Sequence, residues 1–286
     1  MINSVIQRTV NRLYKYHIIY FAGSTILAVA WLTPFYYVAV SIFKTNAEYG
    51  LGDPLGLPSA WQPVLGNISE AWTVTRMGIG MLNSMLYGVI GGGAAITLAA
   101  LAAYGLTRID FQGKRFWFML IFSGTIFPLQ MYLIPVFLGY KSLGLINTRL
   151  GMILFYTAIA VPFPVLVLRN YMTGLPREMD EAARIDGSSD FRIFRSIIMP
   201  NCMGPMIALF LVQFTWIWND LIFSMVLTNR EDLRSLMNCL MVLQGSQANR
   251  TPNVVITAAL MASLPTILLF LILRKHFMSG LELQSL

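Results

Sequence analysis

The side chains that could carry out chemistry are few in this sequence, and they stand far apart. It contains two histidines, His17 and His276, and two cysteines, Cys202 and Cys239. None of them has a partner at metal-ligand spacing, and no Ser/His/Asp arrangement for nucleophilic catalysis is present. The chain also lacks the G-x-x-x-x-G-K-[ST] loop that cradles ATP phosphates. The sequence therefore predicts no catalytic residue, no metal site and no ATP site.

Solute binding is the chemistry that the remaining polar residues favour. Asp220 is the sole carboxylate inside an apolar stretch, and it follows Asn219. A charge at membrane depth is costly and usually faces protein or water. Asp220 and Asn219 are thus expected either to line a solute route or, for Asp220, to bind an arginine or backbone group of a neighbouring subunit. The flanking Trp216 and Trp218 would stack on a sugar or anchor at the membrane interface, and the second role is favoured.

Three more polar residues are candidates for the same route. Asn83 opens a second apolar stretch. Gln130 and Tyr132 lie between Pro128 and Pro135, in a segment that proline allows to unwind. Irregular backbone at membrane depth is tolerated where it lines a cavity or is buried in protein.

The most informative charged segment is 174–200. Pro176 suits the first turn of a helix, where its missing N–H costs nothing. Gly187 can end that helix in a left-handed conformation. Negative charge at the positive end of the helix dipole comes from three residues, Glu178, Asp180 and Glu181.

A second short helix is expected after Gly187, running to Pro200. It can be capped by any of three residues, Ser188, Ser189 or Asp190. The small residues Ala182, Ala183 and Gly187 are predicted to leave one side of this bent pair nearly bare, so that another protein can approach its backbone closely.

This segment resembles the EAA loop of ABC importer permeases. The matching residues are Glu181, Ala182, Ala183, Gly187, Ile197 and Pro200, with Met199 where that pattern has Leu. With Asp186, the form Glu-Ala-Ala-x-x-Asp-Gly is especially similar to carbohydrate permeases of the maltose-transporter class. The resemblance covers roughly residues 80–275 and extends to two further stretches, 143–148 and 218–220.

The resemblance implies a coupling role and a set of partners. The loop would dock into a cleft on a cytoplasmic ATPase dimer, which binds ATP and Mg²⁺, so this chain needs no cofactor of its own. A second permease subunit, an external solute-binding protein, a sugar substrate and membrane lipid would complete the system. Coupling would fall to Glu181, Ala182, Ala183, Asp186, Gly187, Ile197 and Pro200.

Composition indicates a membrane protein. The chain is 56% hydrophobic and 12% charged, whereas soluble domains carry roughly 25% charged residues. Its net charge of +7 comes without a Lys/Arg run, which argues against nucleic-acid binding.

The predicted fold is an all-α integral membrane domain that covers residues 1–286. Each of six apolar segments is near the ~20 residues that cross a bilayer. The coupling loop, 174–200, lies between the fourth and fifth of the predicted spans, which are Ile18–Ile42, Met81–Leu106, Phe116–Leu138, Leu150–Leu168, Met203–Leu227 and Val254–Leu273.

Lysine and arginine set the expected orientation. With a cytoplasmic N-terminus, 13 of these residues lie inside and seven outside, as the positive-inside rule favours. We therefore expect a multi-pass protein of the bacterial inner membrane with both termini cytoplasmic. Cys202 and Cys239 then lie toward opposite sides, which argues against a disulfide between them.

Two alternatives remain at this point. One is an ABC permease for a solute other than a sugar. The other is a secondary transporter, which would need inverted repeats and ion-coupling carboxylates within its spans. A single carboxylate at that depth and no evident repeat count against the second alternative.

Overall fold

The computed structural model describes residues 2–50, 53, 55–244 and 252–282, and none of these residues forms a strand. The all-α prediction is thus confirmed for this part of the chain. The described residues form two compact units, one within residues 1–73 and 246–261 and the other within residues 74–245 and 262–286. Within the described residues the α-helices are α1 (Ile2–Ser41), α2 (Asn46–Gly50), α3 (Pro63–Val74), α4 (Met77–Leu86), α5 (Gly92–Arg108), α6 (Lys114–Ile126), α7 (Leu133–Ser142), α8 (Arg149–Ala160), α9 (Pro162–Thr173), α10 (Glu178–Ile185), α11 (Asp190–Ile193), α12 (Met199–Asn201), α13 (Met203–Trp218), α14 (Ile222–Leu227), α15 (Leu236–Leu240) and α16 (Pro252–Glu282).

A buried cluster of side-chain amides organises the first unit. Asn253 Nδ2 donates to the carbonyl oxygen of Lys44 and to Asn67 Oδ1, both at 3.0 Å. Asn67 Nδ2 in turn donates to the carbonyl of Ile42 at 2.9 Å. Because buried backbone groups need partners, these amides hold the chain where α1 ends.

Glu48 closes the turn that follows α1. Its carboxylate accepts hydrogen bonds from the backbone N–H groups of Ser59 at 2.8 Å and Thr45 at 2.7 Å. Hydrogen bonds from Ser59 and Thr45 lower the pKa of Glu48 from 4.5 to about 2.

The central helix of the second unit is α5, which packs along α8, α9 and α13. Its alanines, among them Ala95, Ala99 and Ala103, are fully buried and let neighbouring backbones approach closely. A short π-helical turn, Tyr87–Gly91, joins α4 to α5. A Cβ on Gly88 in this turn would lie 2.7 Å from the ring of Phe214 in α13, so only glycine fits there.

Three helical segments are long and apolar enough to cross a membrane, namely Ile19–Ser41, Met77–Arg108 and Pro252–Arg274. Three bent pairs meet the same criterion together. They are Lys114–Ile126 with Leu129–Ser142, Arg149–Ala160 with Pro162–Thr173, and Asp190–Asn201 with Met203–Trp218, bent by 103°, 43° and 76°.

The third, fourth and fifth predicted spans are therefore interrupted, and the interruption of the third lies between Pro128 and Pro135, where proline allows the chain to unwind. Pro128 ends α6 and starts a 3₁₀ turn, and Pro162 begins α9 after a bend. Proline removes a backbone donor and clashes with the preceding turn, so a helix breaks or kinks there. The predicted fifth span, Met203–Leu227, is divided into α13 and α14 at residues 219–221.

Candidate functional site

The segment 174–200 forms the bent pair of short helices that its sequence predicts. Gly187 follows α10 with φ of +77°. The N–H of Gly187 donates to the carbonyl of Arg184 at 3.0 Å, and that of Ser188 donates to the carbonyl of Ala183 at 2.9 Å. These bonds close the C-terminus of α10. The Ser189 side chain caps α11 by accepting from the N–H of Arg192. Pro176, expected in the first turn of α10, precedes that helix instead.

The side of this loop that contacts the rest of the unit differs from the prediction. The sequence predicts Ala183 on a bare outer face, yet it is buried against a core that includes Leu168 and Met172 of α9. Ile185 and Phe191 point outward instead, with 87% and 66% of their surface exposed. Of the predicted coupling residues, Ile197 is half-buried, and the exposed ones are Glu181, Ala182, Asp186, Gly187 and Pro200.

A buried ion pair fixes the inner side of α10. Arg108 Nε in α5 lies 3.1 Å from Asp180 Oδ2, and the two side chains are 3% and 9% exposed. Arg108 Nη2 also donates to the carbonyls of Met172 at 3.1 Å and Leu175 at 2.8 Å. One guanidinium therefore joins α5, the end of α9 and α10.

A second candidate site is a groove of about 510 Å³ beside the break between α13 and α14. Its polar lining comes from Gln130, Thr215, Asn219 and Asp220, with Trp216 and several apolar side chains as walls. The structure thus brings together three of the five predicted route residues. The 103° bend after α6 places Gln130 here, because that bend lies at the 3₁₀ turn Leu129–Tyr132.

Asp220 has hydrogen-bond partners within its own chain. Its Oδ2 accepts from the hydroxyl of Tyr156 at 2.8 Å and from the N–H of Ser224 at 3.1 Å. Its Oδ1 accepts from the N–H of Phe223 at 3.4 Å. Asp220 therefore caps the N-terminus of α14 while it also borders the groove.

Asn83 and Tyr132 do not line this groove. Asn83 is buried, and its amide donates to the carbonyls of Asp232 at 2.8 Å and Arg234 at 3.1 Å. It holds the segment after α14 against α4. Tyr132 is half-buried at the end of the 3₁₀ turn.

Asp232, whose carbonyl accepts from Asn83, carries an ionisable side chain of its own. A hydrogen bond from Arg230 lowers the pKa of Asp232.

The two tryptophans beside Asp220 have different environments. Trp216 is half-buried in the groove wall, with its ring edge-on to Tyr156 at 6.4 Å. Trp218 is fully buried, and its indole N–H donates to the carbonyl of Ala262 at 3.0 Å. Trp218 therefore neither faces the groove nor anchors at a membrane interface.

The remaining candidates for metal or redox chemistry are the histidines, cysteines and carboxylates. No group of three or more His, Cys, Asp or Glu side chains that could hold a metal occurs among them. Cys202 and Cys239 are both buried and unpaired. The side chain of His276 lies outside the described residues.

Residues 54–281 match the family described as the binding-protein-dependent transport system inner membrane component. The chain belongs to this family. Its members are transport permeases rather than enzymes. As an inner membrane component, the chain also presents long apolar helices suited to a bilayer.

This inner membrane component is similar to sugar-system permeases. It is 30% identical over 260 residues to the diacetylchitobiose uptake system permease protein NgcG of Streptomyces coelicolor, covering 89% of this chain and 85% of that one. It is 29% identical to the melibiose/raffinose/stachyose import permease protein MelC of Bacillus subtilis, covering 91% and 92%.

A solved structure shares the fold of this inner membrane component. It is a bacterial ABC transporter involved in the import of the acidic polysaccharide alginate. The TM-score is 0.80 at 22% identity, over 92% of this chain and 97% of the other.

Sequence reasoning missed four residues that the geometry brings forward. Tyr156 and Arg108 occur in apolar helices without a local motif, and only a three-dimensional contact identifies their partners. Ile185 and Phe191 could have been found from the sequence, because each is a large apolar residue in a short, strongly charged helix. Such a residue, if exposed, indicates a surface that contacts another protein.

Proposed function

We propose that this chain is one membrane-spanning subunit of an ABC importer for a carbohydrate. It would pair with a second permease subunit and dock on a cytoplasmic ATPase dimer that binds ATP and Mg²⁺. An external binding protein would deliver the sugar. The chain itself would hold no cofactor and would convert closure of the ATPase dimer into movement of its helices.

The observation that carries the coupling role is the exposed apolar pair on the loop. Ile185 and Phe191 stand on either side of Gly187, at the tip of a segment whose inner side is tightly packed. Exposed apolar residues with polar neighbours are typical of a protein–protein contact. A pair of short helices that is packed on one side and presents Ile185 and Phe191 on the other is suited to insertion into a cleft.

Ile185→Ser tests the docking directly. Because Ile185 is 87% exposed, its loss should leave folding of this chain intact and weaken ATPase binding and ATP-driven uptake together. Ile109→Ser is the matched control, since Ile109 is an exposed isoleucine at the end of α5, outside the loop. Unchanged uptake and ATPase retention in the Ile185→Ser complex would contradict docking through this loop.

Six spans with both termini in the cytoplasm are part of the same proposal. Three long helices and three bent pairs support that count, and the Lys/Arg bias supports the orientation. After replacement of Cys202 and Cys239 by alanine, a cysteine at exposed Glu178 should react only with a reagent supplied to the cytoplasmic side. One at exposed Ser69 should react only from outside. Labelling of both from one side would overturn this topology.

The groove beside Asp220 supports a carbohydrate as the solute. Amide and carboxylate groups hydrogen-bond sugar hydroxyls, and an aromatic face such as that of Trp216 can stack on a sugar ring. Its volume of about 510 Å³ falls within the roughly 300–1,000 Å³ of small-molecule sites. The names of the related permeases, which refer to oligosaccharides, favour the same class.

The solute class is tested by uptake of labelled oligosaccharides and of a non-sugar solute into vesicles. Asn219→Ala and Gln130→Ala should lower sugar uptake without loss of assembled complex. Asn170→Ala, an exposed asparagine on α9 outside the groove, should not. Uptake of the non-sugar solute alone would replace the carbohydrate by that class.

A further inference from the structure

Asp180 is exceptional within the loop, because its side chain is buried while most of its charged neighbours are exposed. It is the partner of Arg108, whose guanidinium is 3% exposed. The neighbouring pair Lys114–Asp110 joins the start of α6 to the segment that follows α5, but its side chains are 30% and 101% exposed. Water screens the second pair and not the first.

Stability alone does not account for a buried pair of this kind. Well-packed apolar residues of similar volume usually stabilise a fold as well or better. The pair is also imperfectly satisfied, since Asp180 Oδ1 has no hydrogen-bond partner and Arg108 Nε makes an ionic contact without hydrogen-bond geometry. An ion pair instead resists separation over a long range, because pulling its charges apart in a low dielectric is opposed over several ångströms.

The remaining hydrogen bonds of Arg108 extend this contact to the end of α9. Its Nη2 binds the carbonyls of Met172 and Leu175, where the chain leaves α9 for the loop. The planar fork of arginine can hold a carboxylate and carbonyls at once, which a lysine ammonium cannot do in the same geometry. The loop is thereby held at its entry and at the middle of α10 by one side chain of α5.

Tyr104 makes a parallel contact one helical turn earlier. Residues four apart lie on the same face of a helix, so Tyr104 and Arg108 both face the loop. The Tyr104 hydroxyl donates to the carbonyl of Asp190 at 3.1 Å, at the start of α11. Both short helices of the loop are therefore attached to the C-terminal end of α5.

We propose that the Arg108–Asp180 pair is the positioning contact through which the loop and α5 move as one body. Force applied at Ile185 and Phe191 would then displace α5, the central helix of its unit, rather than bend the loop. This inference rests on the proposed coupling function and assigns its transmission to two specific side chains.

The test is the number of solute molecules imported per ATP hydrolysed by the reconstituted transporter. The variant Arg108→Met/Asp180→Leu removes both charges together, so that no lone charge remains buried. The complex should assemble and hydrolyse ATP, and the transport ratio should fall at least tenfold. The control Lys114→Met/Asp110→Leu removes an equivalent exposed pair close to Arg108 and should keep the ratio within twofold of the unaltered protein.

The outcomes separate this inference from the proposed function. An unaltered complex that shows no ATP-dependent import would overturn the proposed function itself. An unaltered complex that imports, with a double variant that keeps its ratio, would overturn only the positioning role. If the double variant does not assemble, Arg108→Lys retains both charges but loses the fork to Met172 and Leu175, and its ratio should fall. Failure of both variants to assemble would make the pair a requirement of folding alone and refute the inference.

Discussion

Tyr156→Phe removes a side-chain hydroxyl that donates a hydrogen bond to Asp220. Tyr156 is fully buried, and its hydroxyl lies 2.8 Å from Asp220 Oδ2. A hydrogen bond to a charged group contributes about 1.5–3 kcal/mol to stability, whereas one between neutral groups contributes about 0.5–1.5 kcal/mol. We therefore expect the variant to lose about 2 kcal/mol, with the carboxylate left to the backbone N–H groups that begin α14.

Tyr87→Phe is the matched control. Tyr87 is also fully buried, its ring lies 5.9 Å from that of Tyr156, and its hydroxyl donates at 2.9 Å to the neutral carbonyl of Leu233. The two substitutions delete the same atom from adjacent sites and differ in the acceptor, which is the side-chain carboxyl group of Asp220 for Tyr156 and a backbone carbonyl for Tyr87. The Tyr156 variant should be less stable than the Tyr87 variant by about 1 kcal/mol.

The assay is thermal unfolding of the purified complex in one detergent, repeated in an Asp220→Asn background. If Asp220 is ionised and held by Tyr156, neutralising it should reduce the effect of Tyr156→Phe, because the bond is no longer charge-assisted. Equal losses for the Tyr156 and Tyr87 variants, or an undiminished effect in the Asp220→Asn background, would refute the reasoning. Uptake measured on the same preparations reports whether transport depends on this bond.

Three further perturbations have clear expected outcomes. Gly187→Ala places a Cβ at φ of +77°, which costs roughly 1–2 kcal/mol, so backbone amides of α10 should exchange hydrogen faster while membrane insertion is unchanged. Equal protection would contradict the left-handed cap. For Glu48, the folded-state pKa of about 2 lies below the usual 4.5, so its contribution is present above pH 4.5 and is lost as the pH falls toward 2. The difference in unfolding temperature between the unaltered protein and Glu48→Gln should therefore close over that interval, and a constant difference would argue against it. Trp218→Phe removes the bond to the Ala262 carbonyl, which should lower stability by about 0.5–1.5 kcal/mol in thermal unfolding.

Local chemistry made part of this structure predictable. The caps at Gly187 and Ser189 depend on residues within one turn: Gly187 is left-handed as expected, and Ser189 is one of the three cap candidates that the sequence offers. Proline positions indicate where helices can break. They do not indicate the 103° bend after α6, because the size of a bend depends on the neighbours that compensate the freed backbone groups.

Contacts between distant segments escape sequence reasoning. The loop motif fixes spacing but not which face of α10 turns inward, and the buried cluster that includes Ala183 decides that. The sequence presents Asp180 as a favourable charge at a helix start, whereas Arg108 of α5 makes it a buried partner. It assigns Asp220 either to a solute route or to a partner subunit, and the bond to Tyr156 adds an intrachain role.

The contrast between α1 and the broken segment around Pro128 bears on how the chain is made. A continuous helix such as α1 satisfies nearly all of its backbone groups internally, with one donor removed at Pro34, and can enter lipid as soon as it leaves the ribosome. The turn that joins α6 to α7 breaks that internal ladder, so it is costly in lipid alone. We expect α6 and α7 to remain near the insertion machinery until α14, synthesised later and packed on α7, arrives. Insertion of this protein would then follow the order in which helices can be completed rather than their order in the sequence.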